Sequence, residues 1–245
     1  MGPKSGVVFD SLAHAVCRIS ARGAENLPSV DPASGPALVV LNHTTIVDVI
    51  VTMAALRRAG LWVDLPCAGG CAPGHRHFRV LVTDDVLRWP VSRQMAARSG
   101  VIPVSAERGA PALLAARRAL SAGELVVMYP EGDTSANAEG SPRPWRSGAA
   151  LLARSGVPVH AVAHHDSRQV GCGPIALSVA RALTGVVRRP TVRLYAGEPL
   201  RPHELASLSR SEAQEVLEGR LREAWQVARS GLLPSVPQST PGPAG

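Results

Sequence analysis

The feature that most constrains this 245-residue chain is a series of short apolar runs separated by stretches with helical spacing. Residues 37–41 read Ala-Leu-Val-Val-Leu, which is typical of a strand buried on both faces. Such runs predict strands over residues 37–41, 78–83, 101–104, 125–129, 157–162, 175–180 and 191–196. The spacing predicts helices over residues 9–22, 45–59, 84–99 (broken at Pro90), 110–122, 146–155 and 211–229. Because strands and helices alternate, we predict an α/β fold with a mixed, mostly parallel sheet flanked by helices.

The same patterns divide the chain into three segments. Residues 1–22 carry an N-terminal amphipathic helix, in which apolar side chains recur at helical spacing. Residues 23–230 hold the whole alternating pattern and form one domain of ordinary size. Residues 231–245 contain four prolines and no periodicity, which predicts a disordered tail.

Composition narrows the classes of function. The formal net charge is +7 and arginine supplies nearly all the cations, yet aromatic residues make up only 3%. A stacking surface for single-stranded nucleic acid is therefore not expected. No glycine-rich nucleotide-binding motif and no Gly-x-Ser-x-Gly elbow is present. Four cysteines form no disulfide framework, which favours a reducing compartment and a cytoplasmic protein.

The first predicted strand runs directly into Asn42-His43, and Asp48 follows His43 five residues later. An imidazole accepts a proton near neutral pH, and a carboxylate on its other nitrogen fixes the tautomer. Within one continuous helix the two side chains would point about 140° apart. They can therefore meet only if His43 lies in the turn before the helix and Asp48 in its first turn.

Three further blocks follow this pair in order. Residues 100–104 read Gly-Val-Ile-Pro-Val, with Arg108 shortly after; residues 129–135 read Tyr-Pro-Glu-Gly-Asp-Thr-Ser; residues 156–159 read Gly-Val-Pro-Val. Together with the His-x4-Asp block, they resemble the four ordered motifs of the lysophospholipid and 1-acylglycerol-3-phosphate acyltransferase family. The resemblance covers about residues 20–200.

The resemblance implies a glycerol-3-phosphate acyltransferase-like fold and transfer of a fatty acyl group from acyl-CoA or acyl carrier protein to a lipid hydroxyl. His43 is then the general base and Asp48 its orienter. Backbone amides after Asn42 are expected to hold the oxyanion. The resemblance implies no cofactor beyond the acyl donor and no metal. The substrate-binding residues that it implies are Asn42, Arg108, Glu131, Gly132 and Thr134.

The chain departs from the family at its basic positions. Asp133-Thr134-Ser135 stands where the third motif usually has Thr-Arg-Ser, and Thr83-Asp84-Asp85 stands where a lysine is common. A phosphate monoester needs charge-assisted hydrogen bonds. Arginines elsewhere could supply them, the candidates being Arg88, Arg93, Arg143 and Arg146. The alternatives are an acceptor without phosphate, a specialised metabolite, or a non-catalytic homologue that binds lipid or carrier protein.

Other side chains allow two interpretations each. Four side chains of metal-ligating types lie close together and could bind zinc, although a plain solvent loop is the simpler interpretation: Cys67, Cys71, His75 and His77. His164-His165-Asp166 could contact substrate or form an ordinary polar loop. The arginine-rich stretch 181–201 forms either a basic face toward anionic lipid or a solvated loop. With no membrane-spanning window, we expect a peripheral protein on the inner face of the membrane.

Overall fold

The strands of the computed structural model form one central sheet. The residues described are 11, 13–29, 31–45, 48–58, 78–87, 100–105, 109–132, 140–146, 148–171 and 175–231. The strands are β1 (Arg18–Arg22), β2 (Ala37–Leu41), β3 (Phe78–Thr83), β4 (Ile102–Val104), β5 (Leu125–Met128), β6 (Val159–His165) and β7 (Thr191–Ala196). Their order across the sheet is β1-β7-β6-β2-β5-β3-β4.

Helices connect most of these strands. They are α1 (Asp48–Arg58), α2 (Asp84–Leu87), α3 (Ala110–Ser121), α4 (Gly148–Ala153), α5 (Ile175–Arg188), α6 (Pro202–Ala206) and α7 (Arg210–Ser230). Short 3-10 turns occupy Ala24–Asn26, Pro32–Ser34 and Ser167–Gln169, and residues 13–16 are helical. Among the described residues, no helix is both long enough and apolar enough to cross a bilayer.

The sheet is mixed and mostly parallel. Of its described strand pairs, only β6 and β7 run antiparallel. The predicted fold class is therefore confirmed. At the centre, β2 lies between β5 and β6, with Val40 opposite Met128 and Leu41 opposite Val162. Because these three strands are parallel, the residues that follow them meet at one edge of the sheet.

Both faces of the sheet are covered by apolar layers. Along β2, Leu38 and Val40 pack into the layer formed with α3, α4 and α7, whereas Val39 and Leu41 pack into the layer formed with α1. All five residues of β2 are buried. This explains why the strand has no polar side chain, since neither of its faces meets water.

Helix α7 is the main cover of β6. Ser209 and Glu212 cap its N-terminus reciprocally: the Ser209 N–H donates to Glu212 Oε2 at 2.7 Å, and the Glu212 N–H donates to Ser209 Oγ at 3.3 Å. Its buried side chains recur every three or four residues and include Leu217, Leu221 and Trp225. This spacing places them on one stripe facing the sheet.

The predicted helix over residues 9–22 is wrong at its C-terminal end. Arg18–Arg22 form β1, an edge strand that pairs in parallel with β7, with Arg18 opposite Thr191. The Cys17 N–H donates to the Ala13 carbonyl at 2.9 Å, so helical bonding ends there. The pairing partner lies about 170 residues away in sequence and overrides the local apolar spacing. The three-segment division of the chain stays a prediction.

The strand predicted over residues 175–180 is also wrong. This segment is the first part of α5, which continues to Arg188. A run such as Ile-Ala-Leu-Ser-Val-Ala fits a buried strand and a helix equally well, because a short apolar run carries no clear period.

Candidate active site

His43 and Asp48 meet at the carboxyl edge of the sheet. β2 ends at Leu41, and α1 begins at Asp48, so His43 lies in the connecting turn. His43 Nδ1 lies 3.2 Å from Asp48 Oδ2. The turn therefore brings the two side chains together despite a spacing that would separate them on a continuous helix.

Asp48 is fully buried and is held by its own turn. Its carboxylate accepts the backbone N–H of Thr44 at 2.5 Å and of Thr45 at 2.7 Å, and the Thr45 hydroxyl at 3.1 Å. Burial opposes ionisation of Asp48, but attraction from His164 and hydrogen bonding from His43 outweigh it and keep its pKa below the usual range. Asp48 is therefore an ionised acceptor for the imidazole.

The orientation of His43 follows from this acceptor. Because Asp48 can only accept, His43 Nδ1 carries the proton and Nε2 keeps its lone pair. The His43 side chain is 18% exposed, while that of Asp48 is fully enclosed. On one side the His43 ring contacts Tyr129, with ring centroids 4.6 Å apart. The pair thus combines a buried anion with an imidazole that reaches the surface.

Glu131 and Gly132 lie beside His43, where β5 ends. Glu131 Oε1 accepts the His43 backbone N–H at 3.0 Å. Burial raises the pKa of Glu131 to about 7, although hydrogen bonds from the His43 and Arg143 backbones oppose the rise. Gly132 has φ 69°, and a Cβ on it would lie 2.6 Å from Arg146 Cδ, so a larger residue would not fit without displacement.

Asn42 joins the ends of β2 and β6. Its amide donates from Nδ2 to the His164 carbonyl at 3.0 Å and accepts the His164 N–H on Oδ1 at 2.8 Å. The side chain is fully buried. These bonds hold the turn that carries His43; contact of Asn42 with substrate stays a prediction.

His164, which the sequence indicated only as a possible substrate contact, completes a buried network beside the pair. Its Nε2 lies 2.8 Å from the Asn42 carbonyl and 3.5 Å from Asp48 Oδ2, and its Nδ1 lies 3.1 Å from Ser167 Oγ. Since a carbonyl can only accept, Nε2 carries the proton. Ser167 Oγ in turn lies 2.6 Å from Thr44 Oγ1. Burial lowers the pKa of His164, although the nearby Asp48 carboxylate opposes the change.

The placement of His164 excludes the polar-loop interpretation for this residue, and its contact with substrate stays a prediction. His164 and His165 are the last residues of β6, and Asp166 begins the turn after it. His164 is not part of an ordinary polar loop, and it is too buried to lie on an open surface. The available signal was the position itself, because β6 ends at the same edge as β2.

The expected oxyanion amides are engaged elsewhere. The N–H groups of Thr44 and Thr45 donate to Asp48, and that of His43 donates to Glu131. These three N–H groups are therefore committed to carboxylates rather than to an oxyanion, and the amides of residues 46 and 47 lie outside the described residues. The turn needs these donors to stabilise its buried carboxylates.

Several predicted site residues lie outside the described part of the chain. These are Arg108, Thr134, Arg88, Arg93 and the four candidate metal ligands Cys67, Cys71, His75 and His77. Arg143 and Arg146 are described and exposed. Arg146 lies against Gly132 of the third motif.

Comparisons with known proteins bear on the family and the fold of the chain. A family model described as acyltransferase matches residues 18–165, more than half of the chain. No curated protein sequence matches significantly. Among solved structures, the 1-acyl-sn-glycerophosphate (LPA) acyltransferase PlsC from Thermotoga maritima superposes with a TM-score of 0.60 at 17% identity, covering 89% of this chain and 78% of that one. The fold is thus shared with PlsC, and the chain belongs to the acyltransferase family.

Proposed function

We propose that this acyltransferase moves a fatty acyl group from a thioester donor, acyl-CoA or acyl carrier protein, to the hydroxyl of a lysophospholipid-like acceptor. The 1-acylglycerol-3-phosphate type is the leading acceptor. The observation that carries the proposal is the His43–Asp48 pair, in which a partly exposed imidazole is bound to an enclosed carboxylate. The family match and the fold shared with PlsC support acyl transfer as the reaction class.

The arrangement suits direct transfer. His43 Nε2 takes the proton of the acceptor hydroxyl as that oxygen attacks the thioester carbonyl carbon. The C–S bond then breaks, and the imidazolium returns the proton to the departing thiolate. Asp48 stays ionised throughout and stabilises the imidazolium. No covalent acyl-enzyme is needed, since the acceptor oxygen itself is the nucleophile.

Glu131 and His164 act through the turn rather than on the substrate in this mechanism. Glu131 holds the backbone of His43, and His164 holds the carbonyl of Asn42. Both bonds fix the position of the imidazole relative to a bound substrate. Positioning of this kind matters because a misplacement of about 1 Å can cost about 100-fold in rate.

The acceptor is tested by a substrate panel. Purified protein is incubated with acyl-CoA and either 1-acylglycerol 3-phosphate or 1-acylglycerol, and both thiol release and the diacyl product are measured. Turnover of the phosphate-bearing acceptor supports the proposal. Turnover of 1-acylglycerol alone identifies an acceptor without phosphate. Binding of acyl-CoA, with no turnover of either acceptor from acyl-CoA or from acyl carrier protein as donor, favours the non-catalytic homologue and contradicts the proposed reaction.

We further propose that the protein lies on the inner face of a membrane through α5. Three exposed apolar side chains recur along one face of this helix: Leu183 is 67% exposed, Val186 51% and Val187 88%. Arg181 and Arg188 on the same helix are also exposed. Apolar side chains flanked by arginines suit an anionic bilayer, where each cation contributes about 1 kcal/mol.

Vesicle sedimentation tests this surface. We expect the protein to bind phosphatidylglycerol vesicles more tightly than phosphatidylcholine vesicles, and Val187→Asp to weaken binding to both. Leu114→Asp is the matched control, because Leu114 is 51% exposed on α3. Equal binding by the two variants would contradict the assignment of α5.

A further inference from the structure

A cavity of about 710 Å³ lies next to the buried network under the dyad. Four arginines line it, contributed by three elements that follow or cover β6: Arg168 in the 3-10 turn, Arg181 and Arg188 on α5, and Arg229 on α7. Its size is in the range of small-ligand sites rather than of a single bound ion.

The lining of this arginine cavity is strongly positive. Asp166 is the one carboxylate among the described residues that line it. Asp166 already binds Arg193 Nη1 at 2.9 Å and lies 3.2 Å from His165 Nδ1. The four lining guanidiniums therefore outnumber the acid, and an anion is the ligand that their charge favours.

The guanidinium groups of two of the arginines are held in place by contacts with neighbouring groups. Arg181 Nη1 donates to the Arg168 carbonyl at 3.4 Å, and the Arg229 guanidinium lies 5.3 Å from the centre of the Trp225 ring. A guanidinium has five N–H donors in a planar fork that matches phosphate, so such contacts are compatible with binding an anion.

The arginine cavity also reaches the catalytic pair. Thr44 and His164 line it, and both contact Asp48: Thr44 Oγ1 lies 3.3 Å from its carboxylate and His164 Nε2 lies 3.5 Å from it. One layer of side chains thus separates the cavity from the carboxylate that orients His43. A group bound there belongs to the same substrate-binding region as the base.

We propose that the arginine cavity binds a phosphate group of a substrate. It would supply the cations that are missing from the third motif and at Thr83-Asp84-Asp85, from a different set of elements. The inference rests on the proposed acyl transfer and deepens it. The phosphate has two sources, the headgroup of the acceptor or the phosphates of the acyl donor, and both present the same chemistry to the arginines.

Calorimetric titration without a bilayer tests the site and separates the two sources. The probes are glycerol 3-phosphate for the acceptor and CoA for the donor, at low ionic strength. We expect Arg181→Gln/Arg188→Gln to weaken binding of one probe by about tenfold or more. Arg117→Gln/Arg118→Gln on the exposed face of α3 removes the same charge and should leave binding unchanged.

Loss of glycerol 3-phosphate binding assigns the cavity to the acceptor, and loss of CoA binding assigns it to the donor. Wild-type affinity of the Arg181/Arg188 variant for both probes would overturn the inference, as would equal weakening by the α3 control. If the protein binds a probe through these arginines but transfers no acyl group, the proposed function is refuted and the phosphate site is supported.

Discussion

Replacement of Glu131 by glutamine should stabilise the folded protein above neutral pH. Burial raises the pKa of Glu131 from 4.5 to about 7 in the folded state. In the unfolded chain the same carboxyl loses its proton near its ordinary pKa. Between these two values the folded state binds more protons than the unfolded state, so the free energy of unfolding falls as pH rises.

The size of this effect follows from the two pKa values. One pKa unit corresponds to about 1.4 kcal/mol, so ionisation of Glu131 lowers the free energy of unfolding by about 3 kcal/mol in total. The loss begins near pH 4.5 and is complete above about pH 7. Glutamine keeps an oxygen that can accept the His43 N–H, yet it does not titrate.

Urea denaturation followed by circular dichroism measures the prediction. At each pH, the free energy of unfolding of wild type is subtracted from that of Glu131→Gln. We expect this difference to rise by about 3 kcal/mol between pH 4.5 and 7.5. Glu215→Gln, at an exposed position of α7, controls for removal of one negative charge. A difference that stays constant over this range within about 0.5 kcal/mol would refute the reasoning.

Three further substitutions, the last with a matched control, test the turn and the sheet edge. Asp48→Asn should destabilise the fold by about 3–5 kcal/mol and slow transfer by about 10⁴-fold, because an amide cannot accept every donor that the carboxylate accepts; normal melting and turnover would contradict this. His164→Phe should lower kcat by about tenfold with little change in KM, since it loosens the turn and leaves the four arginines of the cavity in place; a change confined to KM would contradict the positioning role. Gly23→Ala should lower the free energy of unfolding by more than about 2 kcal/mol, because Gly23 has φ 74° and a Cβ would lie 2.1 Å from the Ala196 carbonyl oxygen. Gly123→Ala, at φ 83° with no atom within 4 Å, should cost only about 1 kcal/mol, and equal melting temperatures for the two glycine variants would exclude the clash.

Local patterns predicted the centre of the sheet. β2 and β3 have the bounds that their apolar runs indicate. The argument is strictest for β2, since a strand buried on both faces needs apolar side chains at every position. The meeting of His43 with Asp48 was also predictable, because their spacing allows contact only across a turn that precedes the helix.

The outer elements depended on contacts far apart in sequence. β1 exists because β7 offers it a parallel partner, and nothing within residues 18–22 requires a strand. Helix α5 was ambiguous because its first residues form an apolar run without a clear period. The later residues of α5 include apolar side chains that are exposed, namely Leu183, Val186 and Val187. In a sequence, such side chains look the same as apolar side chains that point into the core.

The buried part of the site was the least predictable. The link from Asn42 to His164 spans 122 residues and joins two strands that are neighbours only in the folded sheet. The same is true of the bond between Glu131 and the His43 backbone, across 88 residues. Motif spacing identifies the titratable pair, whereas the side chains that hold the pair come from parallel strands far away in sequence.

The most direct test of the account is the single-turnover rate of His43→Ala with acyl-CoA and the acceptor that wild type uses. We expect the rate of thiol release coupled to acyl transfer to fall by about 10³-fold or more, with the melting temperature close to that of wild type. His203→Ala, which removes an exposed histidine on α6, should transfer at the wild-type rate. Undiminished transfer by a folded His43→Ala protein would contradict the claim that His43 is the general base.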